Sequence, residues 1–455
     1  MKASSNGTAL MTEGSIRKKM LLFALPVILG NLFQQLYNTA DALIVGRCLG
    51  AEALAAVAST SSLIYLIIGM FNGLSAGAGT VIARYIGARD DEAVSQTVHT
   101  AAALGLACGI FVSVGGYFLA EPLLRLMGSP DDVLPSSARY LSIYFGGSFA
   151  VILYNIFVGI LQASGDSRHP LYYLIISSVI NVALDLFFIM ALDMGVAGTA
   201  LATVISQTFA AALAGLRLCR TESAIRLRPA SVRFESDPLK QILRFGVPTG
   251  AQVAVIDFSN VLIQSFVNSF GSVTMAGFGA YAKIEGFTFL PVTAFQIALA
   301  TFVSQNIGAK EYARARKGIF FGVGLTALLS EVISLIVVFF GRGLLGIFAS
   351  EPDVIARGML RVTICMPFML LPSFAHAMSA VMRGIGKPMT PMVIMLSCWC
   401  AVRVLLLLTV GQIWHNVLLV CWIYPFTWLL STAAYVLYAA KLRREFPWLS
   451  AKSPA

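Results

Sequence analysis

Apolar residues along this chain fall in long runs, and twelve of those runs are long enough to cross a bilayer. A spanning helix needs about 20 mainly apolar residues. Breaks at charges, Gly and Pro delimit runs at 20–45, 52–82, 93–118, 134–161, 170–191, 194–217, 241–269, 274–304, 317–341, 355–382, 389–411 and 414–440. The predicted fold is an all-α integral membrane protein of twelve transmembrane helices. The first run is too long for a signal-peptide core and has no small-residue cleavage site. With Lys18 and Lys19 in front of it, it reads as a retained first helix.

Short matches recur at one offset. Ile86, Gly87, Ala88, Arg89 and Asp90 are matched, at an offset of 221, by Ile307, Gly308, Ala309, Lys310 and Glu311. Leu123 and Leu124 match Leu344 and Leu345, Gly165 matches Gly386, and Pro170 matches Pro391 at the same offset; Pro26 matches Pro248 at 222. A constant offset over most of each half marks an internal duplication. Six helices per copy is an even number, so both copies enter the membrane in the same direction. The expected architecture is two parallel six-helix repeats around a central cavity, as secondary transporters are built. The domain plan is a cytoplasmic N-terminus at 1–19, lobes at 20–217 and 241–440, a linker at 218–240 and a cytoplasmic tail at 441–455. A monomer in contact with membrane lipids is expected.

Composition agrees with a bilayer environment. The chain is 58% apolar and 12% charged, with a mean hydropathy of +0.81, where a soluble protein carries roughly a quarter charged residues. The net charge of +10 is spread between apolar blocks rather than gathered on one domain, which argues against a nucleic-acid partner. One set of helix ends, including both termini, holds 24 Lys and Arg; the opposite ends hold six, namely Arg47, Arg125, Arg139, Arg342, Arg357 and Arg361. Basic ends stay in the cytoplasm, so both termini of this multi-pass protein are placed there. Seven cysteines without ligand spacing form no zinc or disulfide framework.

Two motifs lack the context their chemistry needs. Gly73, Ser75 and Gly77 mimic a hydrolase nucleophile elbow but lie in an apolar run with no strand before them. Gly69, Gly73 and Gly77, four apart, read better as a small-residue face for close helix packing. Gly341, Gly343 and Gly346 mimic a dinucleotide fingerprint without a strand–turn–helix unit. No nucleophile–base set marks an enzyme, and no Walker A sequence supplies ATP hydrolysis. An ion gradient is the natural energy source, with no cofactor beyond H⁺ or Na⁺.

Ionisable residues inside spanning helices are costly and mark candidate sites. Asp41 and Asp185 both lie on outward-running helices at similar depth in the first half. Gln34, Asn38 and Asp41 share one face of helix 1 by spacing, and Asn181 and Asp185 are four apart on helix 5. Thr199 and Thr203 add a polar face from helix 6, and Asn155 reaches deeper from helix 4. Two carboxylates among amides and hydroxyls suit a proton or a sodium ion; the plainer alternative is that both acids are hydrated at the outer interface. The second half lacks this cluster: Asp41, Asn181 and Asp185 correspond to Leu262, Val402 and Leu406. Glu331 and Arg403, each about 13 residues from the cytoplasmic end of its helix, suggest a structural ion pair. Asp257 could help bind a cationic substrate, with Lys283 as its partner.

Pro26, the stretch Leu36-Tyr37-Asn38-Thr39-Ala40-Asp41, the run from Val45 to Gly50 and the run from Ala53 to Val57 resemble the opening of the multidrug and toxic compound extrusion (MATE) transporters of bacteria. Ile86-Gly87-Ala88, Gln162 to Asp166 and Arg383 to Pro388 fit the same family, and the resemblance covers residues 15–445. It implies export of amphipathic, mostly cationic drugs in exchange for H⁺ or Na⁺ by alternating access. It assigns ion coupling to Asp41, Asn181, Asp185 and Thr203, makes Pro26 a hinge, and implies a bacterial inner membrane; from their polarity and position, Gln34, Tyr37, Asn38, Asn155, Asp257 and Lys283 are expected at the substrate cavity. A second branch uses acids on helices 7 and 10. Here 366–382 contains no acid, so the branch with an Asp-based site in the N-terminal half is favoured. The alternative function is a flippase of a lipid-linked saccharide or other lipid-like substrate.

Overall fold

A computed structural model describes residues 10–127 and 133–449, apart from the side chains at 51, 52, 54, 55, 58, 59, 62 and 447. The expected N-terminus and tail at 1–9 and 450–455 lie outside the described residues. All regular elements among the described residues are helical. Ten helices are long and apolar enough to span, and two bent pairs complete the predicted twelve. They are α1 (Ile16–Cys48), α2 (Ala51–Ala88), α3 (Asp91–Leu126), α4 (Leu134–Gly146 with Ser148–Ala163), α5 (Arg168–Ala191) and α6 (Val196–Arg220). The second set is α7 (Ser236–Asn268), α8 (Ser272–Gly308), α9 (Tyr312–Gly346), α10 (Pro352–Phe368 with Leu370–Ile385), α11 (Met389–Ile413) and α12 (Val417–Glu445). In hydrocarbon every backbone N–H and C=O must be satisfied within the protein, which leaves the helix as the only way for runs this apolar to cross singly.

The duplication is written into the backbone. Gly50 and Gly271, ahead of α2 and α8, have φ of 87° and 88°; Arg89 and Lys310, closing α2 and α8, have φ of 58° and 60°; Gly165 and Gly386 are both left-handed. Each pair keeps the offset of 221. The 48° bend of α4 at Gly147 and the 52° bend of α10 at Met369 also lie at equivalent places.

The helices form two compact units, Leu25–Gly250 and Met11–Ala24 with Ala251 onward. The expected lobe boundaries at 217 and 241 are therefore corrected. The stretch 218–240 is not a free linker: Ile225, Leu227 and Ile242 are buried in the first unit's core, the Arg228 N–H donates to His99 Nε2 at 3.0 Å, and the Glu235 N–H donates to Thr100 Oγ1 at 3.2 Å. The start of α7 stays with that unit because glycines on both sides remove the bulk between backbones. A Cβ on Gly73 would collide with the Gly250 backbone, and one on Gly77 with that of Gly246, so these two α2 glycines pack as their spacing predicts. Met11–Ala24 joins the second unit by hydrogen bonding. The Met11 N–H donates to Gln305 Oε1 at 2.8 Å, and Arg314 donates to the carbonyls of Met11, Glu13 and Gly14. The first division falls one residue before Pro26, inside the continuous α1.

Candidate functional site

Within the first unit, α1, α5 and α6 bring four of the sequence-predicted groups together. Asp185 and Asn181, one turn apart on α5, are 0% and 1% exposed, and Thr203 on α6 is also buried. Asp41 on α1 meets Asp185 carboxyl to carboxyl, within hydrogen-bonding contact. With its amide turned to suit both neighbours, Asn181 donates from Nδ2 to Asp185 Oδ2 at 3.0 Å and accepts from the Thr203 N–H at 3.2 Å. The Thr203 hydroxyl donates to the Thr199 carbonyl at 3.1 Å, and Tyr37 lies beside it.

Three buried oxygens here have no hydrogen-bond partner among the described residues: Asp41 Oδ1, Asp185 Oδ1 and Thr199 Oγ1. Buried polar atoms are nearly always satisfied, so these acceptors are suited to a proton or a small cation. Two ionised carboxylates can only accept; carboxyl groups in hydrogen-bonding contact need a proton between them.

Other predicted residues stand elsewhere. Gln34, Asn38 and Asp41 lie on one continuous helix, with Tyr37 and Asp41 half-buried and Gln34 and Asn38 exposed. Asn155 is half-buried, and its carbonyl accepts from the Ser75 hydroxyl at 2.6 Å. In the second unit Asp257 is half-buried and Lys283 exposed, and no ion pair joins them among the described residues. Glu331 and Arg403 do not form the expected ion pair either. Glu331 Oε2 accepts from the Leu370 N–H at 2.8 Å, capping the second arm of α10, and Arg403 Nε donates to Thr427 Oγ1 at 3.0 Å. Distance from a helix end says nothing about the side from which a partner approaches.

Two residues of the site went unnoticed in the sequence. Tyr140 is buried on α4 near both carboxyl groups, and Tyr144 stacks on it with ring centroids 6.4 Å apart. Their spacing of four was visible, but tyrosines at helical spacing in an apolar run look like ordinary core.

The MatE family model matches this chain twice, over residues 26–187 and 248–409. The second match starts and stops at an offset of 222 from the first, repeating the duplication seen in the backbone. This chain belongs to the MatE family. Like other MatE proteins it is a multi-pass membrane transporter and not an enzyme. It is 31% identical to the probable multidrug resistance protein YoeA of Bacillus subtilis over 84% of each chain. It is 26% identical to the probable multidrug resistance protein NorM of Thermotoga maritima, over 85% of this chain and 84% of that one. Among solved structures, a MOP superfamily transporter from Pyrococcus furiosus shares the fold with a TM-score of 0.88 and 21% identity, over 99% of this chain and 100% of that one.

Proposed function

We propose that this MatE-family chain is a cation-coupled antiporter that exports amphipathic, mostly cationic compounds, and that Asp41 and Asp185 carry the coupling ion. The observation that bears the proposal is the carboxyl–carboxyl contact between α1 and α5, with buried oxygens left unsatisfied beside it. A hydrogen-bonded carboxyl pair favours H⁺ over Na⁺, because a sodium ion would need several oxygens turned toward it and the pair's own hydrogen bond broken. Asn181 links Asp185 on α5 to Thr203 on α6, and Asp41 brings in α1, so loading or release of an ion bears directly on how α1, α5 and α6 pack. Names of relatives such as YoeA and NorM support drugs as the exported class. The excess of Lys and Arg at one set of helix ends supports cytoplasmic termini in a bacterial plasma membrane.

The test is transport of a fluorescent organic cation in reconstituted vesicles, with pH and Na⁺ gradients imposed separately. A pH gradient alone is expected to drive transport, and Asp41→Asn to reduce it about tenfold or more, as befits an intramembrane acid with a working role. Undiminished transport by Asp41→Asn would overturn the coupling role. Movement of a lipid-linked saccharide without any cation transport would favour the flippase.

A further inference from the structure

The second unit buries two guanidinium groups against one tyrosine. Arg361 on α10 is 7% exposed and Arg403 on α11 is 1% exposed. The Arg361 guanidinium carbon lies 4.5 Å from the Tyr424 ring centroid and 4.5 Å from that of Tyr281. That of Arg403 lies 4.6 Å from Tyr424 and 5.1 Å from Trp399. The sequence had placed Arg361 at an outer helix end; the fold turns it inward instead.

Aromatic faces attract the flat side of a guanidinium but offer nothing to its N–H groups, which point outward in the plane. Arg403 satisfies Nε with Thr427, while among the described residues its Nη2 has no partner, nor has Arg361 Nε. Arg361 has no hydrogen-bond or ion-pair partner at all among the described residues. The nearby acid is Glu285, but it forms an ion pair with neither arginine; it accepts from the Tyr281 hydroxyl at 3.0 Å. Two guanidiniums face one carboxylate, and a buried charge left uncompensated is strongly unfavourable.

The cluster also shares two repeat positions with the surroundings of the carboxylate site. At the offset of 221, Arg361 stands where the first unit has Tyr140 and Tyr424 stands where it has Thr203. Arg403 matches Val182, next to Asn181, and the acids' own equivalents are Leu262 and Leu406, so the basic pair stands near the repeat positions of the acidic pair and not on them.

We propose that Arg361 and Arg403 form an anion site in the second unit, which takes one carboxylate or phosphate group on their unpaired N–H edges. Guanidinium edges bind these planar or tetrahedral oxyanions by paired, charge-assisted hydrogen bonds. Tyr281, Tyr424 and Trp399 hold the two edges in place, and Glu285 competes with the incoming anion for the same positive charge.

Purified protein is titrated with acetate, inorganic phosphate and dodecanoate in a zwitterionic buffer at fixed ionic strength, and tryptophan emission is followed because Trp399 stacks on Arg403. A saturable change is expected, absent in Arg403→Gln and in Arg361→Gln. Saturation by acetate or phosphate assigns the site to a free small anion, and saturation by dodecanoate alone to the head group of an amphiphile. Glu285→Gln, which keeps both arginines and removes the internal competitor, is expected to bind about threefold tighter or better. That variant decides the matter even where an arginine variant fails to fold. No saturable response to any of the three anions, an undiminished response in both arginine variants, or weaker binding by Glu285→Gln overturns the proposal.

Discussion

Gly50 and Gly271, equivalent positions of the two repeats, hold the same extended, positive-φ backbone, at 87° and 88°, and each opens the second helix of its repeat. That region of backbone space is essentially reserved for glycine. No atom lies within 4 Å of a Cβ built on either residue, so a substitution there meets backbone strain and no crowding. Gly271→Ala is expected to destabilise the purified protein by about 1–3 kcal/mol. Gly343→Ala, in a helix with equally open space, is expected to be neutral or slightly stabilising. Thermal unfolding in detergent separates them; equal midpoints would contradict the backbone account.

Asp185 is the more deeply buried of the two acids, and Asn181 donates to it. Asp185→Asn keeps the size of the group but removes its charge. The expected outcome is a folded protein that binds substrate and no longer responds to a pH gradient in vesicles. Loss of the folded protein in size-exclusion chromatography would instead point to a packing role.

Gly77 on α2 meets the Gly246 backbone of α7 without room for a side chain. Gly77→Leu forces these backbones apart, and overpacking of this kind costs about 1–3 kcal/mol or more. Reduced yield and a lowered melting midpoint are expected, whereas Gly324→Leu, where space is open, leaves both nearly unchanged.

Glu331 and Lys283 separate a structural acid from an uncommitted base. Removing the acceptor for the Leu370 N–H by Glu331→Ala is expected to cost about 1 kcal/mol, the usual worth of a capping bond. Exposed, unpaired Lys283→Ala is expected to change stability by no more than about 0.5 kcal/mol. Melting midpoints of the two variants check both statements.

The twelve spans were legible in the residues because crossing a bilayer is a local demand: about 20 apolar residues in a row, with every backbone group satisfied inside the helix. The duplication was legible for a similar reason, since Arg89 and Lys310 or Gly165 and Gly386 serve turns defined by a few neighbouring residues. Asp41, Asn181, Asp185 and Thr203 were recognisable because charge and amide groups are conspicuous in apolar runs.

Partnership was decided only by the tertiary structure. Asp41 and Asp185, on the first and fifth helices, meet across most of the first repeat, and Arg403 finds Thr427 and Tyr424 rather than Glu331. Ile225 and Leu227 draw the apparent linker into the first unit's core, and Arg314 ties Met11 into the second. Helix periodicity states which residues share a face, but which face meets which helix depends on side-chain volumes and glycine contacts summed over the whole bundle. For that reason the sequence by itself determined that this protein is a twelve-helix membrane protein built from a duplicated half. Only the packing decided that Asp41 and Asp185 meet in one unit while Arg361 and Arg403 share Tyr424 in the other.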